Sequence, residues 1–149
     1  MVDSVKSLFV EEIKALTIIA QKKAVEKKHE PIPDFSTRYD GKLESCLNTP
    51  FTSFGEVDVY PDLPAKASIL FYLMVKNHPF QNGNKRIAVI TLGYFLYKNQ
   101  HILYIPDANL YQLATFVAAS ESEKKDYMMS ILKGLIGYFM KPATPKQSN

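Results

Sequence analysis

The chain has 149 residues and a net charge of +3, and its hydrophobic share of 46% and charged share of 22% are those of a soluble globular protein with a sizeable core. A charge this small gives no reason to expect nucleic acid as a partner, and no apolar run approaches the ~18 residues that a membrane span requires. The single cysteine, Cys46, excludes an internal disulfide and a cysteine-built zinc site, and we expect it in the core. The composition therefore favours a cytoplasmic protein without membrane or nucleic-acid partners.

Apolar residues at helical spacing predict that the first part of the chain is helical. A first helix is expected over residues 3–28, with Asp3 or Ser4 as its N-cap. Two prolines then end the pattern, and a shorter helix is predicted over residues 41–47.

The segment FTSFGEVDVY, residues 51–60, has a different pattern. Aromatic and β-branched residues surround a glycine, which is typical of two short extended segments joined by a turn. We expect a small hairpin here, with Phe54, Gly55, Glu56 and Val57 at its tip, and we call it the flap.

Two strongly apolar helices are predicted next. The first begins after Asp62, has a proline in its first turn and ends by His78, because Pro79 disfavours helical geometry in the residue before it. The second covers residues 84–98 and is apolar on nearly every face, as a buried helix is. A possible strand over residues 101–105 and two further helices follow.

These patterns predict an all-α fold with a small β-hairpin. The sequence contains no internal repeat and no evidence of a second domain, so we expect a single domain over residues 1–141 whose core spans about residues 40–140. Residues 142–149, PATPKQSN, are expected to form a disordered tail.

The stretch HPFQNGNKR, residues 78–86, places polar and turn-forming residues between the two apolar helices. A helix N-terminus presents unpaired N–H groups and a positive dipole end, and it therefore attracts phosphate. Gly83 allows a ligand close to the backbone, Asn84 adds an amide, and Lys85 and Arg86 add positive charge.

Those two cations lie at the end of the helix where positive charge is unfavourable, which suggests that a bound anion compensates them. His78 is the nearby group that can take up a proton near neutral pH. Each residue alone is more easily explained as part of a turn or a surface, but together they indicate a base facing an anion site. Such a site suits phosphoryl or nucleotidyl transfer to a hydroxyl.

The same stretch resembles the signature of the Fic/Doc (Fido) family, H-P-F-x-[D/E]-G-N-[G/K]-R, at eight of nine positions. The flap, the helix before the motif and RIAVITLGYFLYKN after it resemble the death-on-curing (Doc) branch, so the resemblance covers roughly residues 40–140. Membership would imply the helical Fido fold and transfer of part of a nucleoside triphosphate, such as ATP, to a protein hydroxyl.

The resemblance also implies roles for individual residues. His78 would be the base and Phe80 a core anchor of the loop. Gly83 and Asn84 would form the anion hole, and Lys85 and Arg86 would hold the nucleotide phosphates. The flap would hold a segment of the target protein by strand-like pairing.

Two positions depart from the family pattern. Asn82 stands where the family has a carboxylate that holds Mg²⁺, so weak metal binding is expected. Val89 stands where members that transfer AMP often have a second arginine, and together with Lys85 this favours the Doc branch. The resemblance to the Doc branch implies transfer of a phosphoryl group, as in a protein kinase, by a site of the Fido type.

The resulting hypothesis is a Doc-like toxin that phosphorylates a target protein and is controlled by a separate antitoxin. The family's inhibitory pattern [S/T]-x-x-x-E-[G/N] is only partly matched from Ser7 to Glu11, so self-inhibition is not expected. Two alternatives stay open: AMP transfer to a hydroxyl, and a non-catalytic protein that binds nucleotide or a partner.

Overall fold

A computed structural model describes residues 4–24 and 32–143 of the chain. The predicted all-α fold with a small hairpin is confirmed for these residues. Its helices are α1 (Val10–Ala24), α2 (Lys42–Asn48), α3 (Leu63–Lys76), α4 (Asn84–Lys98), α5 (Asp107–Ala119) and α6 (Lys125–Phe139), and its strands are β1 (Ser53–Phe54), β2 (Val57–Asp58), β3 (His101–Leu103) and β4 (Met140–Pro142).

Helix α3 is the centre of the core. Its N-cap, Asp62, accepts a hydrogen bond from the N–H of Ala65 at 2.9 Å, and Pro64 lies in its first turn, as the sequence predicts. Every residue from position 65 to position 75 is buried, and α2, α4, α5 and α6 pack around it. Helix α4 has the bounds predicted for it, Asn84–Lys98.

Helix α1 is shorter than the predicted helix over residues 3–28, and the predicted start is wrong. It begins at Val10, because the Glu12 carboxylate turns back and accepts a hydrogen bond from the N–H of Phe9 at 2.9 Å. Ser4 lies before the helix, whereas Asp3 and residues 25–28 lie outside the described residues. Leu8 and Ile13 are buried, so the core starts well before residue 40.

The N-terminal segment is held on α4 through Glu12. The Nζ of Lys98 donates to Glu12 Oε1 at 2.7 Å and to the carbonyl oxygen of Ser7 at 2.9 Å. The hydroxyl of Tyr94 donates to Glu12 Oε2 at 2.5 Å. Burial raises the pKa of Glu12, but its hydrogen bonds with Lys98, Tyr94 and the Phe9 N–H outweigh burial and hold that pKa below its ordinary value.

The described strands form two antiparallel pairs, β1 with β2 and β3 with β4. The second pair aligns His101 with Pro142 and Leu103 with Met140. The N–H of Ala143 also donates to the carbonyl oxygen of Gln100 at 2.8 Å. The tail predicted from residue 142 therefore starts too early, because Pro142 belongs to β4; residues 144–149 lie outside the described part.

Among the described residues, none of the helices has both the length and the apolar character needed to cross a membrane.

Candidate functional site

The loop between α3 and α4 contains the motif. His78 has a φ of 47°, a left-handed conformation that is uncommon for residues other than glycine. Helix α3 ends at Lys76, before His78, which agrees with the prediction that Pro79 disfavours helical geometry in the residue before it. The histidine side chain is exposed, while Pro79 and Phe80 are buried behind it. Unusual backbone of this kind is concentrated at functional sites.

The side chain of Asn84 closes this loop. Its Oδ1 accepts a hydrogen bond from the N–H of Phe80 at 2.9 Å, and its Nδ2 donates to the carbonyl oxygen of Phe80 at 2.9 Å. Phe80 itself is fully buried, with its ring 6.5 Å from that of Phe35, as expected of a core anchor. The amide of Asn84 thus orders the loop, and what this residue offers an anion is its backbone N–H.

Asn84 also brings His78 to the helix N-terminus. Its Nδ2 lies 3.4 Å from the Nδ1 of His78, at the outer end of hydrogen-bonding distance. Because the N–H of Phe80 donates to Oδ1, the other end of the Asn84 amide is its NH₂ group. A hydrogen-bond donor therefore faces the Nδ1 of His78. A neutral ring that accepts this bond carries its proton on Nε2. A ring that turns from it can carry the proton on Nδ1 and present Nε2 to a hydroxyl.

A backbone segment that sequence reasoning missed supports the loop from the other side. The N–H of Tyr39 donates to the carbonyl oxygen of Pro79 at 2.8 Å, and the N–H of Gln81 donates to that of Thr37 at 3.2 Å. Between them Arg38 pairs with Phe80 as an isolated β-bridge, and its guanidinium stacks 4.2 Å from the Phe35 ring. The stretch DFSTRYD has no helical or strand periodicity, so only its tertiary pairing reveals it.

The N-terminus of α4 has the features of an anion site. Gly83 is the N-cap, with a φ of 71°, and it has no side chain to cap the first-turn N–H groups. No acidic residue lies in this turn, whereas Lys85 and Arg86 are both there and half-buried. The Nζ of Lys85 lies 5.7 Å from the ring centroid of Tyr111 on α5. Backbone donors, helix dipole and two cations coincide at this point.

The flap is a hairpin, as predicted. Ser53 pairs with Asp58 and Phe54 with Val57, and the two-residue turn places Gly55, with a φ of 62°, first. Phe54 and Val57 are 77% and 71% exposed, so the tip makes little contact with the core. The base of the flap reaches α4 through the edge contact of Phe51 with Phe95, at 6.4 Å between ring centroids.

Two apolar concavities, with volumes of about 410 and 610 Å³, lie at opposite ends of the α5–α6 pair. Neither is lined by a motif residue or by the flap. The chemistry that the motif residues offer is therefore concentrated on the loop surface and not in these concavities.

An exposed histidine lies beside a cationic helix N-terminus, in a helical domain with a hairpin flap. A model of the Fic/DOC family matches residues 9–96, which is more than half of the chain. The chain belongs to the Fic/DOC family, whose members are generally transferases, and its fold is the helical Fido fold. No curated protein and no solved structure matches the chain significantly.

The family implies Mg²⁺, but the donor atoms present fit a protein-held magnesium poorly. The motif contains no carboxylate, and its acidic position is the exposed Asn82. In the described part of the chain, no group of three or more His, Cys, Asp or Glu side chains could hold a metal ion. Mg²⁺ usually takes one or two carboxylates together with substrate phosphates, and the acidic position of the motif offers a neutral amide oxygen instead.

Proposed function

We propose that this protein is a Doc-like toxin of the cytoplasm that transfers the γ-phosphoryl group of ATP, or of another nucleoside triphosphate, to a hydroxyl of a target protein. The observation that carries the proposal is the position of His78. The side-chain amide of Asn84 holds the exposed ring of His78 beside the uncapped, cationic N-terminus of α4. This arrangement supports a role for His78 as proton acceptor beside a phosphate-binding helix N-terminus.

In the proposed reaction the target hydroxyl oxygen attacks the γ-phosphorus while its proton passes to a ring nitrogen of His78. A P–O bond to the target forms, the bond from the γ-phosphorus to its bridging oxygen breaks, and ADP leaves with the electron pair. The first-turn N–H groups of α4, Lys85 and Arg86 would stabilise the phosphate charge. Mg²⁺ would arrive with the nucleotide, and Asn82 would be at most a weak ligand.

AMP transfer differs only in attack at the α-phosphorus with loss of pyrophosphate. Val89 and Lys85 favour phosphoryl transfer over it. Val89 lies on α4 one turn after Arg86 and is half-buried, so the second guanidinium typical of many AMP-transferring members is replaced by an apolar side chain.

The flap is proposed to hold a segment of the target along its edge. Its exposed tip, Phe54 to Val57, fits such a role, because main-chain pairing to an exposed strand gives affinity while neighbouring side chains give selectivity. A separate antitoxin is proposed because the inhibitory pattern is only partly matched from Ser7 to Glu11. The second arginine with which such a glutamate would pair is replaced by Val89.

A non-catalytic nucleotide-binding protein is the second candidate, and Asn82 is the observation that favours it. A site without a carboxylate can still bind a triphosphate through backbone N–H groups and cations, since losing the carboxylate also removes a charge repulsion.

The test uses ATP radiolabelled at either the α- or the γ-phosphate, with a soluble cell extract as the acceptor. Over the background of the extract alone, we expect the protein to increase transfer of the γ-label and not of the α-label, and His78→Ala to lower the rate of this increase by about 10²–10⁴-fold. Transfer of the α-label would establish AMP transfer instead. Nucleotide binding without transfer of either label would establish the non-catalytic alternative.

A further inference from the structure

A buried lysine lies at the base of the flap. Lys66, at the end of the first turn of α3, is only 4% exposed, although α3 is otherwise buried through apolar residues and one serine. An ammonium group is costly to bury unless hydrogen bonds and an opposite charge satisfy it. The sequence gives no sign of this role, because the lysine lies within a helix that reads as apolar.

The partners of Lys66 lie on both sides of the flap. Its Nζ donates to the carbonyl oxygen of Tyr60 at 2.5 Å, after β2, and to that of Pro50 at 3.3 Å, before β1. The same Nζ lies 3.6 Å from the Asp58 carboxylate in β2 and 5.1 Å from the ring centroid of Phe51. One ammonium group therefore joins both ends of the hairpin to α3.

Few other hydrogen bonds hold the flap in position. Its strands pair over two residues each, extended by one hydrogen bond from the Val59 N–H to the Thr52 carbonyl oxygen at 3.0 Å. Residues 52–59 are all exposed. An isolated two-stranded hairpin is marginally stable in water, so the base contacts decide where this one lies.

The contact with Asp58 also sets which face of the hairpin points outward. Residues paired across two strands share a face, and successive pairs alternate between faces. The Ser53–Asp58 pair lies on the face of Lys66, which turns the Phe54–Val57 pair to the opposite face. The exposure of that pair, 77% and 71%, agrees with this orientation.

We propose that Lys66 is a positioning residue that holds the flap ready to receive the target protein. It would act through Asp58 and the two carbonyl groups, without touching nucleotide or target. The inference rests on the proposed role of the flap as the edge that holds the target, and it adds the residue that keeps this edge in place.

The first test is hydrogen–deuterium exchange on Lys66→Met, with Lys76→Met as the matched control. Methionine keeps the length of the side chain but removes the charge and donors. Lys76 lies on the same helix and its Nζ donates to the carbonyl oxygens of Ser120 and Ala118 at 2.5 and 3.4 Å, away from the flap. Lys66→Met should speed amide exchange in residues 52–59 by roughly tenfold or more, and the control should not. Equal exchange in a folded Lys66→Met protein would overturn the proposal.

If Lys66→Met does not fold, a second pair of variants tests whether the contact between Lys66 and Asp58 holds the flap. Asp58→Lys places a like charge beside Lys66 at a half-exposed position, whereas Glu56→Lys makes the same change of charge at the turn. Faster flap exchange in Asp58→Lys alone supports the proposal. Exchange that is equal in both variants contradicts it.

Kinetics separates positioning from a general loss of structure. With labelled ATP and a soluble cell extract as acceptor, Lys66→Met should raise the apparent KM for the acceptor by about the factor by which the competent flap population falls, roughly tenfold. Its kcat and its ATP affinity should stay at the parent values. A lower kcat with an unchanged KM would overturn the proposal. If the parent transfers no label, the proposed function fails, while the exchange experiments still decide the role of Lys66.

Discussion

Asn82 occupies the position at which the motif departs from its family, and replacing its amide by a carboxylate tests what the position does. We expect Asn82→Asp to lower the Mg²⁺ concentration needed for half-maximal transfer and to raise the rate, because Mg²⁺ prefers charged oxygen ligands. A magnesium titration of both proteins, followed by calorimetric ATP binding and by label transfer, measures this. Gln81→Glu, at the neighbouring exposed position, is the matched control. Unchanged values in Asn82→Asp would mean that the site does not use this position for metal.

Arg86 and Lys85 lie in the same turn, but we expect Arg86 to contribute more to nucleotide affinity. A guanidinium can hold a phosphate through two parallel hydrogen bonds, whereas the Lys85 ammonium also lies near the Tyr111 ring. Arg86→Ala should weaken ATP binding by roughly tenfold or more, and Lys85→Ala by less. Calorimetric titration compares them, with Lys141→Ala on β4 as the control. Parent-like affinity in both motif variants would exclude them from phosphate binding.

At the scale of elements, the docking of α1 on α4 should depend on pH through Glu12. Its hydrogen bonds with Lys98, Tyr94 and the Phe9 N–H hold the folded-state pKa of Glu12 below its ordinary value of 4.5, although burial alone would raise it. The stabilisation is therefore fully present above about pH 4.5 and is lost as the pH falls through the folded-state pKa.

Glu12→Gln tests this docking. The variant should lower the free energy of unfolding by about 1–3 kcal/mol at pH 7, and the difference from the parent should shrink as the pH falls below 4.5. Urea denaturation over a pH series measures it, with Glu11→Gln, at the exposed neighbouring position, as the control. A difference that persists unchanged at pH 3 would show that the carboxylate charge is not responsible.

Local signals in the sequence were sufficient to predict the bounds of some elements and not of others. Helix α4 follows from Gly83 at its start and apolar residues on nearly every face, and the flap follows from the alternation around Gly55. The start of α1 was missed because it depends on Glu12, which is fixed by Lys98 from a distant part of the chain. The chemistry of the motif residues was sufficient to predict them as candidate site residues. The two hydrogen bonds between the Asn84 amide and the backbone of Phe80 could not be predicted, because they form only when the loop is closed in three dimensions.

For the molecule as a whole, the reactivity of the Cys46 thiol measures whether the core is closed. The thiol is fully buried among residues of the main hydrophobic cluster, and burial raises its pKa to about 12. A thiol reagent should therefore leave the native protein unmodified at pH 8 and react at the rate of unfolding. Rapid labelling in native buffer, at a rate unaffected by denaturant, would contradict a closed core around α2 and α3.

We propose that His78 and the N-terminus of α4 together transfer a phosphoryl group to a protein hydroxyl. The decisive measurement is mass spectrometry of acceptor proteins after incubation with ATP and either the parent or His78→Ala. We expect a phosphoryl adduct on serine, threonine or tyrosine with the parent, and a rate lower by about 10²–10⁴-fold with a folded His78→Ala variant. A nucleotidyl adduct, or a phosphoryl adduct formed equally fast by His78→Ala, would contradict the proposal.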